Sequence, residues 1–272
     1  MRREPLRIAF IIGSAEVGGA EQMLLVVLRS LPSDAFECSV ICPSGPMAAR
    51  YAQAAARIET VGRRSFLNPW TIWRIAVLLR RWRIEVAHTY LYLSDVGGVL
   101  AARLAGVPRV VSHLVGHNFY VTEERSLRRL RKRCLSWTYR WIYALSDRLI
   151  AVCEAVKADA VGRRGIRVPA RKIIVIPNAL LLDSAVASPE HLEEAKRLCA
   201  ITEASVVMTT VANLIPLKGH RYLMEAMPTI VQACPQVRYV IVGDGPHRLA
   251  LEQLARRLHL DGQVVFTGLV DE

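Results

Sequence analysis

Runs of β-branched and other apolar residues alternate along this chain with longer stretches in which apolar positions recur at helical spacing. The runs at 6–12, 37–42, 58–61, 86–89 and 109–114 have the length of buried parallel strands, and the stretches at 21–31, 46–56, 69–81 and 94–105 read as helices between them. Strand, turn and helix in this order predict a parallel sheet with helices on both faces. Runs at 148–152 and 173–176 close that sheet. A second series opens with strands at 205–211, 237–242 and 264–267, the first two each leading into a helix. Residues 181–189 have the character of a linker and 190–198 of an entry helix. The expected class is therefore α/β: a doubly wound, Rossmann-like first domain over 1–182, a linker and entry helix over 183–204, and a second α/β domain over 205–272.

Candidate chemistry gathers at two junctions of the second series. One strand runs into Val211-Ala-Asn213-Leu-Ile-Pro-Leu-Lys218-Gly219-His220, and the next ends in Gly243-Asp244-Gly245-Pro246. Lys218 supplies a cation just before a helix whose first N–H groups are free, an arrangement that favours an anion. Gly243 and Gly245 are expected to let the second turn approach a ligand closely. In an open α/β sheet both loops lie at the carboxyl ends of the strands, where ligands bind. The first strand ends in Gly13-Ser-Ala-Glu-Val-Gly18-Gly19, which is neither a dinucleotide fingerprint nor a P-loop. His88, His113 and His117 fall at or after the strands at 86–89 and 109–114.

Composition narrows the class. The 272 residues suit two domains, and 52% hydrophobic content excludes a mainly disordered chain. The six cysteines form no Cys-x-x-Cys pair and the histidines do not cluster, so neither a metal site nor a disulfide framework is expected. No apolar run reaches the ~18 residues of a membrane span, which leaves a cytoplasmic protein, soluble or peripheral on the inner face of the membrane. The net charge of +12 is concentrated in Arg125, Arg128, Arg129, Arg131, Lys132, Arg133 and Arg140. At helical spacing Leu127, Leu130, Cys134, Trp137, Trp141 and Leu145 share one face and most of those cations the other. Two readings stay open: a surface helix with its Leu and Trp face packed inward, or a helix lying on an anionic membrane through Arg128, Arg129 and Lys132. A second Trp-rich basic segment, 70–82, favours the membrane. Nucleic acid is not an expected partner, since no helix-turn-helix, RNP or zinc pattern accompanies the charge.

The two junctions resemble the donor-nucleotide half of the family 4 glycosyltransferases of the GT-B fold, whose pattern is a Gly-Arg-Leu or Ala-Asn-Leu turn, Pro-x-Lys-Gly, then Gly-x-Gly-Pro. Gly18-Gly19-Ala20-Glu21 resembles that family's first glycine-rich loop. Ser146-Asp147-Arg-Leu-Ile-Ala-Val-Cys153-Glu-Ala-Val-Lys157 and Ile174-Val-Ile-Pro177-Asn178 resemble the end of its first domain. The resemblance implies two Rossmann-like domains facing across a cleft and a metal-independent, retaining transfer of sugar from a nucleotide-diphosphate sugar to a saccharide or lipid-linked acceptor hydroxyl, in polysaccharide or glycolipid synthesis. It implies donor contacts from Gly18, Gly19, Asn213, Lys218, Gly243 and Gly245, and a sugar-contacting histidine that is either His117, in the loop, or His113, in the strand. Asn213 stands where many relatives carry arginine, and Asn178-Ala179 replaces the usual Asn-Gly. The family's Glu-x7-Glu motif has no counterpart here, so the second domain is expected to be incomplete. A binding module or inactive remnant is the alternative to an active enzyme.

Overall fold

A computed structural model describes residues 4–62, 66–115, 137–162, 166–179 and 188–270, apart from the side chains of Tyr92 and Leu93. His117, Arg128, Arg129, Lys132 and the expected linker at 181–187 lie outside the described residues. The chain divides into two compact units, Met1–Leu181 and Leu182–Glu272.

The first unit alternates β1 (Leu6–Ile12), α1 (Gly19–Ser30), β2 (Phe36–Cys42), α2 (Pro46–Ala54), β3 (Arg57–Thr60), α3 (Pro69–Arg81), β4 (Val86–Tyr90), α4 (Tyr92–Ala105) and β5 (Arg109–Leu114). It continues with a helix over 137–145, α5, then β6 (Arg148–Ala151), α6 (Glu154–Val161) and β7 (Ile173–Val175). All its strand pairs are parallel, in the order β3-β2-β1-β4-β5-β6-β7. The order reverses between β1 and β4, the switch point at which such sheets bind ligands.

Alternation along the strands sends successive side chains to two cores. Phe10, Ile12, Val40 and Cys42 pack with Leu24, Leu28, Met47 and Tyr51 of α1 and α2. Ala9, Ile11, Ala87 and Val110 pack with Ile75 and Leu79 of α3, Val99 and Ala102 of α4, and Tyr139, Ile142 and Tyr143 of α5. Local signals fix the helix ends. Asn68 caps α3 by accepting a hydrogen bond from the Trp70 amide (2.9 Å), with Pro69 in the first turn, and α4 stops at Gly106, whose φ of 75° is left-handed.

The expectation for the basic helix needs one correction. Over 137–145 the buried face is Tyr139, Ile142 and Tyr143, whereas Trp137, Trp141 and Leu145 point outward. The proposed inward Leu and Trp stripe does not pack inward over these residues. Tyrosine occupies the core side because its hydroxyl finds a buried partner: Tyr143 donates to Asp95 (2.9 Å).

The second unit holds α7 (Pro189–Leu198), β8 (Val206–Val211), α8 (His220–Ala233), β9 (Val237–Val242), α9 (Arg248–Arg257) and β10 (Val264–Gly268). Its three strands are parallel in the order β10-β9-β8. Met224 and Met227 of α8 and Leu251 and Leu254 of α9 close one core with Tyr239, Ile241 and Val264.

Candidate functional site

Each sheet brings glycine-bearing loops to its carboxyl edge. In the first unit β1 runs into Gly13, whose amide donates to the Tyr90 carbonyl at the end of β4 (3.3 Å) and so ties the loop to the switch point. Gly18 is the N-terminal cap of α1 in extended conformation. A Cβ there would lie 2.5 Å from a carboxylate oxygen of the buried Glu21, whereas one on Gly19 would meet nothing. The Glu21 carboxylate folds back over the turn at Gly18. A cavity of about 270 Å³ opens at the same edge, lined by Ser14, Ala15, Glu16, Pro43, Ser44 and Gly62. Between β4 and α4 the chain passes through Leu91 at φ 73° and ψ 153°, a region that non-glycine residues seldom enter and that costs about 1–3 kcal/mol.

His113 is a buried strand residue. Its ring stacks on Tyr90 (4.6 Å between centroids) and on His88 (5.6 Å), and Phe10 completes the cluster at 5.5 Å from His88. Among the described residues neither His113 Nδ1 nor His88 Nε2 has a hydrogen-bond partner. Burial lowers the pKa of His88 to about 3, with help from His113, and that of His113 to about 4, so both are neutral at neutral pH. Next to this cluster, on the opposite face of the sheet, the buried Asp95 accepts from Thr89 (2.5 Å) and Tyr143 (2.9 Å). Burial without a cationic partner outweighs those two bonds and raises its pKa to about 7.

In the second unit the two junctions lock onto each other. The Leu214 amide donates to the Asp244 carbonyl, the His247 amide to the Leu214 carbonyl, and the Ala212 amide to the Val242 carbonyl, all at 3.0 Å. A Cβ on Gly245 would sit 2.7 Å from the Leu214 carbonyl oxygen, and one on Gly243, at φ 128°, would run into that of Ala212. The close approach of the neighbouring loop thus by itself accounts for glycine at both positions. Asp244 accepts from the Gly245 amide (2.6 Å) and lies 3.4 Å from Arg248, which also donates to Glu252 (2.8 Å). Asn213 and Lys218 are exposed. Lys218 has no carboxylate partner among the described residues. Gly219, left-handed at φ 73°, caps α8; the Tyr222 amide donates to the Gly219 carbonyl (3.0 Å), and the His220 and Arg221 amides have no acceptor within the helix.

Sequence reasoning missed His220. It is almost fully buried at the start of α8, with neither ring nitrogen partnered among the described residues, and burial together with the Lys218 charge lowers its pKa. The signal was available: His220, Met224 and Met227 are one helical face. Among the described residues no three His, Cys, Asp or Glu side chains form a metal-binding group, and no helix is long and apolar enough to cross a membrane.

The site elements recur in known proteins. The model of Glycosyltransferase Family 4 matches residues 17–183, and that of Glycosyl transferases group 1 matches 205–272. The Escherichia coli UDP-Gal:alpha-D-GlcNAc-diphosphoundecaprenol alpha-1,3-galactosyltransferase is 27% identical over 248 residues, 88% of this chain and 62% of that protein. The 2-deoxystreptamine glucosyltransferase of Streptomyces kanamyceticus is 25% identical over 197 residues, 71% of this chain and 50% of that protein. The chain thus spans 62% and 50% of the lengths of these two relatives. The crystal structure of Anabaena Alr3699/HepE in complex with UDP-glucose superposes with a TM-score of 0.78 at 21% identity, covering 98% of this chain and 70% of that one. The fold is that of the GT-B glycosyltransferases. With both family models matching in order along a chain that carries the Lys218-Gly219 and Gly243-Asp244-Gly245-Pro246 junctions, the protein belongs to the family 4 glycosyltransferases.

Proposed function

We propose that this chain binds a nucleotide-diphosphate sugar and belongs to an enzyme that transfers the sugar, with retention, to an acceptor hydroxyl. The observation that carries the reading is the interlocked pair of junctions in the second unit, which leaves the Lys218 side chain and the His220 and Arg221 amides at the start of α8 to hold a diphosphate. UDP-glucose bound to the HepE neighbour, and the UDP-Gal in the name of the E. coli relative, support a nucleotide sugar as donor. That relative's diphosphoundecaprenol substrate supports a lipid-linked or saccharide acceptor, and with it a role in polysaccharide or glycolipid synthesis at the inner face of the membrane.

Lys218 and the α8 N-terminus act on the leaving group, where negative charge develops as the bond from the anomeric carbon to the phosphate oxygen breaks. The acceptor oxygen forms the new bond on the same face, and its proton passes to the departing phosphate oxygen, which gives retention. No metal is needed to neutralise the diphosphate. Gly18 and Gly19 present backbone amides in the first unit, and His117 or His113 contacts the sugar.

The test is calorimetric titration with UDP, GDP and dTDP sugars, followed by incubation with the labelled donors and a membrane extract. Binding insensitive to EDTA, with label passing to a lipid or saccharide product of unchanged anomeric configuration, is expected. Binding without transfer assigns the chain to the alternative, a nucleotide-sugar-binding module. No binding of any of the three overturns the reading.

A further inference from the structure

The helical layer formed by α3, α4 and α5 turns tryptophan outward. On α3, Trp70 and Trp73 are 67% and 51% exposed and stack at 4.9 Å, and Val77 extends their face by one turn. On α5, Trp137 and Trp141 are 64% and 58% exposed and meet edge to face at 5.5 Å. Both helices bury their opposite faces in one core. Both also flank α4: α3 packs along it, and Arg103 of α4 donates to the Leu145 carbonyl at the end of α5 (2.8 Å). The two aromatic pairs therefore belong to one surface. Tryptophan is costly to leave in water, and exposed apolar patches of this kind mark interaction sites.

Charge identifies the occupant. Pro69–Arg81 and residues 137–145 contain no Asp or Glu, and the single carboxylate of α4, Asp95, is buried beneath the layer. Arginine stands on the tryptophan faces instead: at helical spacing Arg74 and Arg81 continue the Trp70 and Val77 stripe, and Arg140 neighbours Trp137 and Trp141. Arg74 is paired with Glu59, and Arg80 is held by the Leu104 and Ala105 carbonyls. Arg81 and Arg140 have no carboxylate partner among the described residues. Indole rings settle at the headgroup level of a bilayer, and unpaired guanidinium groups match lipid phosphates.

We infer that this face docks on an anionic lipid surface, with Trp70, Trp73, Trp137 and Trp141 entering the interfacial region and Arg81 and Arg140 meeting phosphates. The contact joins the two Trp-bearing segments that the sequence singled out, 137–145 of the basic helix and 70–82, with α3 contributing half of the aromatic anchors. It stands independently of the sugar-transfer reading and is measured without any nucleotide sugar.

The test uses the full chain with phosphatidylcholine vesicles, pure or containing an equimolar share of phosphatidylglycerol. Sedimentation with the acidic vesicles at low salt, weak binding to the neutral ones, and quenching of tryptophan fluorescence by brominated lipid are expected. Arg81→Gln with Arg140→Gln should weaken acidic-vesicle binding on the order of tenfold. Trp70→Ser with Trp73→Ser should weaken it at least as much with unchanged circular dichroism, because both side chains lie outside the core. Failure of the wild type to bind acidic vesicles at low salt overturns the inference. So does binding by the tryptophan variant equal to that of the wild type, absence of quenching by brominated lipid, or a wild-type dimer that the tryptophan variant converts to monomer.

Discussion

At the scale of single residues, the second unit separates what holds the loops from what is left for a ligand. Gly245→Ala would press a Cβ against the Leu214 backbone, 2.7 Å from its carbonyl oxygen, so a stability loss of about 1–3 kcal/mol is expected in denaturant unfolding. Lys218→Ala should leave stability unchanged, since the side chain is exposed, and weaken nucleotide-sugar binding roughly tenfold to a hundredfold, the worth of one charge-assisted contact at about 1.5–3 kcal/mol. Denaturant unfolding reads the first part and titration calorimetry the second. In an enzyme assay His117→Ala should damage transfer more than His113→Ala; the reverse order moves the sugar contact to His113. Lys218, Gly243 and Gly245 were legible in the sequence because each is a local turn or charge signal. The physical reason for the glycines was not, because the atoms that exclude a side chain belong to Ala212 and Leu214 on another loop.

Among elements, α4 and α5 are joined by a buried polar bridge that periodicity cannot reveal. Asp95 links Thr89 at the end of β4 to Tyr143 of α5, and Ser112 and Ser146 extend the network, their hydroxyls 2.8 Å apart. Its pKa of about 7 lies above the ordinary carboxylate value, so the folded state keeps a proton that the unfolded state releases. This contribution is intact below about pH 4 and is lost as pH rises toward 7, with a slope on the order of 1 kcal/mol per unit. His88 and His113 act in the opposite sense: their depressed pKa values stabilise the fold above the ordinary histidine range and cease to as pH falls toward 4. The comparison of wild type with Asp95→Asn isolates the carboxylate. The variant should gain in Tm relative to wild type as pH rises from about 4 to 7, and parallel curves would remove Asp95 from the balance. The outward turn of Trp137 and Trp141 was likewise hidden, because a helical wheel ranks tryptophan with the core formers while Tyr139 and Tyr143 take the inner positions.

Over the whole molecule, the alternation of strands and helices could be read from apolar runs, since strand length and helical spacing are local, whereas the strand order is set by pairing between distant segments. Leu91 and the burial of His220 depend on contacts that no single segment declares. The hydrophobic cores of the two units share no residue, and residues 1–181 hold all seven strands of the larger sheet. A chain ending at Leu181 should therefore fold with native-like near-ultraviolet circular dichroism and one cooperative transition; a molten profile would show that its cores need the second unit. The smaller sheet carries a different liability. Among the described residues β8 is an edge strand, with Val206, Val207 and Val211 exposed along it. Such an edge offers unpaired amides and carbonyls beside β-branched side chains, the template on which strands of other molecules add. Concentrated preparations of this 272-residue chain should thus aggregate through β8, and a lysine at Val207 should delay that process, because Val207 lies outside the junction that runs from Val211 to His220.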